Sequence, residues 1–131
     1  MEVKFQLEII SPEKIIFSDA VKMVKIPSYE GDMSILKNHI SLIAFLRPGI
    51  IKVEKSDGNH EELFVQEGTV EFFGESLVIL SATAVHNKDL SKEFLNNLQK
   101  ETEELLTKED INDNDRYILN HKINVISEIR T

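Results

Sequence analysis

An all-β N-terminal domain followed by an α-helical hairpin is the fold class that the sequence predicts, and a change in apolar spacing carries that prediction. Up to His86, apolar residues come in short runs separated by turn residues; beyond it they recur at helical spacing. No long helical pattern interrupts the first part, so residues 1–86 read as an antiparallel β-sandwich or barrel. Residues 87–131 read as two amphipathic helices on a short linker.

Val3, Phe5, Leu7 and Ile9 fall on one face of a first strand, opposite Lys4, Gln6 and Glu8, and Ser11-Pro12-Glu13 breaks it. Further short runs follow at residues 15–17, 21–26, 42–46, 50–54, 63–66, 69–73 and 77–81. Pro27, Glu30-Gly31-Asp32, Arg47-Pro48-Gly49, Asp57-Gly58, Gly68 and Gly74 punctuate them. Asp57-Gly58 is the clearest hairpin signal, because this pair tolerates the positive φ of tight turns, and Gly74 serves a similar turn.

Asp89 is placed to cap the first helix, whose apolar side holds Leu90, Phe94, Leu98, Leu105 and Leu106, with Leu95 alongside. A polar, turn-rich stretch covers residues 108–114. The second helix, roughly residues 115–130, carries Ile118, Leu119, Ile123, Val125, Ile126 and Ile129. Such a hairpin has a core too small to offset its own ordering entropy comfortably. It should lean on the β domain or on a partner.

Composition narrows the function classes. A hydrophobic content of 41% and a mean hydropathy of −0.19 fit a folded globular chain of one core with a small appendage. No run approaches the ~18 apolar residues that a membrane helix needs, so membrane association is expected only through protein partners. The net charge of −8 argues against nucleic-acid binding, which needs clustered Lys and Arg; neither half is basic. The absence of cysteine excludes disulfides and thiolate sites and suits a reducing compartment.

Signs of chemistry are sparse. His39, His60, His86 and His121 lie far apart without the spacing of metal ligands, so no metal is expected. There is no Gly-x-Ser-x-Gly elbow and no phosphate-cradling glycine loop. The acidic residues at 101, 103, 104, 109 and 110 read as wet helix faces and ends rather than acid–base pairs. No catalytic residue and no cofactor are expected.

Residues 28–49 read Ser-Tyr-Glu-Gly-Asp-Met-Ser-Ile-Leu-Lys-Asn-His-Ile-Ser-Leu-Ile-Ala-Phe-Leu-Arg-Pro-Gly. With the order and spacing of its turns, its Asn38-His39 pair and its apolar run, this block resembles the epsilon subunit of F-type (proton-translocating) ATP synthases. Residues 62–84 resemble that family's last strands, and the helical tail completes the outline. The resemblance implies a β-sandwich of about ten strands followed by a helical hairpin. It also implies a subunit at the foot of the central stalk, bound to gamma and resting on the c-subunit ring. Torque from proton passage then reaches the catalytic head, whose reactive sites lie on other chains.

The same resemblance assigns partner contacts. Asp32, with Glu30 beside it, matches the acidic turn that reaches the c ring; the plainer alternative is a solvated turn. His39 matches a histidine near the gamma–ring junction, unless it merely hydrogen-bonds within its own loop. For the run at 42–46, core packing is the default and gamma contact the weaker claim. In relatives the hairpin extends along gamma toward the alpha/beta hexamer and brakes hydrolysis through basic residues. Here those would be Arg116, Lys122 and Arg130, offset by Asp115 and Glu128, so a weak or absent brake is expected. The family's ATP motif, Asp-x-x-Arg-Ala, is replaced by Ser91, Phe94 and Leu95, and a phenylalanine cannot pair with phosphate as a guanidinium does, so ATP binding is not expected. With no transit segment in view, the cytoplasmic face of a bacterial inner membrane is the expected location. The alternative is a free-standing β-sandwich binding module with a helical tail.

Overall fold

The structure is a computed structural model that describes residues 4–130. Val3, expected on the inner face of the first strand, lies outside those residues. Among the described residues nine strands form: β1 (Phe5–Ile10), β2 (Ile15–Ser28), β3 (Gly31–Leu36), β4 (Leu42–Leu46), β5 (Gly49–Lys55), β6 (His60–Val65), β7 (Gly68–Phe73), β8 (Ser76–Leu80) and β9 (Val85–His86). A 3-10 turn (Asn87–Asp89) and the helices α1 (Lys92–Leu106) and α2 (Asp113–Arg130) follow. Contacts divide the chain into two compact units, with the break between Asn87 and Lys88.

The β unit is organised around β2. Its first half pairs with β1, from Phe5↔Val21 to Ile9↔Phe17. Its second half lies between β5 and β3, and Ser28 at its end bridges Leu46 of β4. From β1 the ladder continues through β8 and β7 to β4; from β5 it continues through β6 to β9. Between these layers sits one core, with Leu7, Ile9, Val24, Ile26, Ile51, Leu63, Leu77 and Ile79 all buried. Phe5 and Phe72 meet in it edge to face, their ring centroids 5.4 Å apart.

Four features differ from the sequence expectation. The runs at 15–17 and 21–26 are one strand of 14 residues. Ser18, Asp19 and Ala20, which look like a break, pair with Glu8, Leu7 and Gln6 of β1. The register on β5 slips between Val21 and Met23, so the buried positions shift phase from Phe17 and Val21 to Val24 and Ile26. Pro27 lies inside the strand rather than ending it, opposite Asp32. β3 is an additional strand; only Met33 and Ile35 turn toward the core, leaving Asp32, Ser34 and Leu36 outside. Finally, β1 pairs with β8 in parallel, Gln6↔Ser76 to Ile10↔Leu80, whereas an all-antiparallel arrangement was expected. The long chain between these two strands frees them from the hairpin constraint that makes sequence neighbours antiparallel.

The β5–β6 hairpin closes as its Asp-Gly pair suggests. Gly58 adopts a φ of 90° and donates to Lys55 O at 3.0 Å. Asp57 Oδ1 accepts the Asn59 N–H at 2.9 Å, a bond that holds the Asp57 carboxyl below its usual range.

In the helical unit the cap of α1 is Ser91, whose Oγ accepts the Phe94 N–H at 3.0 Å. Asp89 instead belongs to the 3-10 turn, leaving Leu90 and Ser91 to lead into the helix. The buried stripe of α1 runs through Leu95 and Thr102, while Phe94 and Leu105 are 39% and 41% exposed. Thr102 fits that stripe because its hydroxyl donates to Leu98 O at 2.6 Å, leaving no polar group unsatisfied. α2 starts at Asp113, and Asn112 Oδ1 accepts the Asp115 N–H at 2.7 Å at its first turn. Leu119, Val125 and Ile126 are its buried residues.

Candidate interaction surface

Glu30 and Asp32 sit at the tight connection between β2 and β3. Ser28, itself buried, donates from Oγ to Gly31 O at 2.6 Å and accepts the Glu30 N–H at 3.3 Å. Gly31 takes a φ of 118°, a conformation side chains resist, which lets the chain reverse here. Glu30 projects from this turn exposed. Asp32 is held from within the chain: Arg47 Nη2 lies 3.0 Å from Oδ1, and Lys25 Nζ 3.8 Å from Oδ2. Arg47, read from sequence only as part of a turn, thereby becomes a structural member of this corner. Its Nη1 also donates to Pro48 O at 2.9 Å, and its backbone N–H donates to Pro27 O at 3.0 Å.

His39 lies elsewhere. It follows β3, while the Glu30 turn precedes it, so the two are separated by the length of a six-residue strand, about 20 Å. Its Nδ1 donates to Ile40 O at 2.8 Å, and its ring stands edge-on to Phe72 at 6.2 Å between centroids. The structure therefore brings Glu30 and Asp32 together and leaves His39 at the far end of β3.

Between these ends runs a surface that sequence reading assigned to the core by default. β4 alternates: Leu46 is buried, Leu42 and Ala44 pack on the core, and Ile43 and Phe45 face out, 74% and 61% exposed. Cross-strand pairing extends this outer face. Phe45 stands opposite Thr69, and Thr69 opposite Leu80; Ile43 stands opposite Glu71, and Glu71 opposite Val78. Phe73, 72% exposed, continues it along β7. The outward side chains of this sheet are thus apolar on β4, on β8 and at Phe73, with the polar Thr69 and Glu71 between them. Exposed large apolar groups gathered on one face are a feature of contact surfaces. The period-two alternation along residues 42–46 is the signal that could have found it.

Of the hairpin's basic residues, Arg116, Lys122 and Arg130 differ in their surroundings. Arg130 of α2 donates to Gln99 Oε1 of α1 at 2.7 Å and also to Asn96 Oδ1. Half-buried Lys122 has its ammonium pushed below the usual lysine range by desolvation, an effect that Glu101 of α1 partly offsets. Arg116 is exposed near the start of α2.

Among the described residues no group of three or more His, Asp or Glu converges as a metal site would. No described helix is long and apolar enough to cross a membrane. A β-sandwich with exposed apolar side chains on one face, a charged corner and an attached helical hairpin has the features of a binding subunit. Comparison with known proteins identifies its kind. Residues 4–87 match the family described as ATP synthase, Delta/Epsilon chain, beta-sandwich domain. The ATP synthase epsilon chain of Pelagibacter ubique is 38% identical over 130 residues, covering 98% of this chain and 99% of that one. That of Parvibaculum lavamentivorans is 34% identical, covering 99% and 98%. A chain of the Euglena gracilis mitochondrial ATP synthase (OSCP/F1/c-ring) superposes with a TM-score of 0.76 at 19% identity, covering 98% of this chain and 80% of that chain. The chain belongs to the ATP synthase epsilon chain family. It is a non-catalytic central-stalk subunit of a membrane-associated complex whose catalytic sites lie in other subunits.

Proposed function

We propose that this subunit couples rotation of the c ring to ATP synthesis through gamma, using two surfaces of one rigid β body. The outward face of β4, β7 and β8, with Ile43 and Phe45 as its exposed apolar residues on β4, docks on gamma. The β2–β3 corner meets the c ring, with Glu30 as its outermost carboxylate and Asp32 held behind it by Arg47 and Lys25; His39 lies at the gamma–ring junction. Charge at such a corner sets register more than affinity. Proton-driven torque passes through this joint, and the membrane is met only through the partners, on the cytoplasmic face of the bacterial inner membrane.

The observation that carries this reading is the exposure of Ile43, Phe45 and Phe73 on one face of the sheet, phenylalanine being among the aromatic residues enriched at interfaces. The absence of cysteine makes the test clean, because single cysteines introduced at Glu30, Asp32, His39 and Phe45 are the only thiols in the chain. In the assembled complex, cross-links from positions 30 and 32 should reach the c ring and those from 45 should reach gamma; cross-links to neither overturn the reading.

The hairpin acts as a weak brake on hydrolysis or none, and it binds no ATP. This is supported by Arg130 being committed to Gln99 and Asn96 on α1 and by the desolvation of Lys122. ATP hydrolysis by complexes with and without residues 87–131 should differ little; a large rise on truncation refutes it.

A further inference from the structure

Strand pairing lays the outer side chains of β4, β7, β8 and β1 in rows that run across the sheet. One row reads Phe45, Thr69, Leu80 and Ile10, and ends on Ile15 of β2. All but Thr69 are apolar, and Phe45, Leu80 and Ile15 are exposed. The next row, about 7 Å away along the strands, reads Ile43, Glu71, Val78 and Glu8. Beyond it on β7 stands Phe73, again exposed. The carboxylates of the middle row thus sit on either side of Val78, between apolar groups. Their strands are two ladder spacings apart, so the backbones that carry them are separated by about 10 Å.

These carboxylates lack what several others on the sandwich have. Asp32 is held by Arg47 and Lys25, Asp19 by Lys55, and Glu75 by Lys37. Among the described residues neither Glu8 nor Glu71 has an ion-pair partner, and no basic residue stands in either row. A partner touching only the Phe45 row would leave both in water. One that covers Phe73 as well must cross Glu71, which lies between Thr69 and Phe73 on the same face of β7. A carboxylate taken out of water without a counter-charge is strongly unfavourable, so the covering surface has to bring cations.

Resting on the gamma-docking reading of this face, we propose that Glu71 and Glu8 set its specificity. The surface of gamma that covers them carries two basic side chains about 10 Å apart, with an apolar residue between them against Val78. Apolar rows supply contact area but tolerate sliding. The two ion pairs fix one register, because a shift of one row brings the cations onto apolar side chains and leaves both carboxylates unpaired. A joint that transmits torque needs that register. The chain's net charge of −8 also draws a basic surface toward it.

Titration of the full chain into the catalytic complex depleted of this subunit tests the pairing. Glu71→Gln and Glu8→Gln keep the side-chain shape and remove the charge. Each should weaken association at least about tenfold, as loss of one partner of a desolvated charge pair does, with the thermal midpoint unchanged. Raising salt from about 50 mM to about 500 mM should weaken binding of the native chain more than that of the double variant. In the assembled complex the thiol of Glu71→Cys should cross-link to gamma; cross-linking to another subunit instead overturns gamma as the source of the cations. Phe45→Asp reports on the docking reading itself. If it weakens association while the glutamine variants, singly and together, bind as the native chain does at both salt concentrations, the carboxylates stay solvated. The ion pairs are then refuted and the docking face stands. If Phe45→Asp also binds like the native chain, the docking face falls and the ion pairs fall with it.

Discussion

Arg47 reaches back fifteen positions to place Nη2 3.0 Å from Asp32 Oδ1, so the acidic turn expected to face a partner is neutralised first from inside its own fold. The two ends of this pair differ in solvation: Arg47 keeps 13% of its side-chain surface exposed, and Asp32 keeps 51%. Arg47 is thus the structural member and Asp32 the wet one. Lys25 on the other carboxylate oxygen reinforces the neutralisation.

Removing the guanidinium should therefore cost more than removing the carboxylate. Arg47→Ala loses the ion pair, the donation to Pro48 O and a largely buried stem, and should lower stability by about 1–2 kcal/mol. Asp32→Asn should cost less than about 1 kcal/mol, since its side is solvent-screened. Urea unfolding of both variants and of the double mutant measures the order. Glu30→Gln should leave stability unchanged and weaken only assembly.

Beside the same arginine, Gly49 has no room for a methyl group. A Cβ there would stand 2.4 Å from Pro27 Cβ and 2.7 Å from Pro27 Cγ. Pro27 is a rigid ring inside β2 and cannot swing aside. Gly49→Ala should therefore cost about 2–3 kcal/mol, an overpacking penalty, visible as a lower thermal midpoint. Gly58→Ala meets open space but carries the strain of φ 90°, so its smaller penalty separates steric from conformational causes.

Most of this architecture was legible because period-two and helical spacing announce themselves locally. The sandwich and hairpin followed from them, as did the Asp57-Gly58 turn. What escaped depended on distant partners. Ser18-Asp19-Ala20 looks like a loop until β1 supplies hydrogen bonds to it. β3 contributes only Met33 and Ile35 inward, too short an alternation to stand out. Asp89 satisfies the capping pattern as well as Ser91 does, and only the turn at Asn87–Asp89 decides between them. The pairing of Arg47 with Asp32 has no sequence signature, because nothing in either turn specifies that the two meet.

The hairpin core makes Leu95 and Ile126 its most sensitive positions, being 5% and 1% exposed. Each truncated to alanine should destabilise the helical unit by about 2–4 kcal/mol, through lost burial and the cavity left behind. Thr102→Val, which keeps the shape and removes only a donation to a carbonyl of its own helix, should change stability by less than about 0.5 kcal/mol. Helical ellipticity on denaturant titration distinguishes these outcomes.

Lys122 carries a cost that its neighbour does not fully offset. Desolvation is the larger influence on its ammonium and attraction to Glu101 the smaller, so the charged form is disfavoured in the folded hairpin. A depressed lysine weakens the fold at neutral pH, where the unfolded chain holds its proton freely, and the penalty fades as pH rises through the lysine range. Lys122→Met keeps the stem and removes the charge. Because the group is half-exposed, the variant should be equal to or more stable than the native chain by no more than about 1 kcal/mol at pH ~7. A clear loss of stability on chemical unfolding would show that the pair with Glu101 outweighs desolvation.

The outer face of β4 provides the sharpest division between fold and assembly. Ile43 and Phe45 alternate with core residues on one strand, so they can be changed without touching the core. Phe45→Asp should leave the unfolding midpoint within about 0.5 kcal/mol of native, as surface substitutions usually do. If this face docks on gamma, the same change places a charge in a desolvated contact and should weaken association at least about tenfold, as loss of an aromatic anchor does. Leu46→Asp on the same strand, buried at 2% exposure, should do the reverse by unfolding the sandwich. Copurification and titration of the variants with gamma check this. Unchanged binding by Phe45→Asp would move the interface to another face of the sandwich.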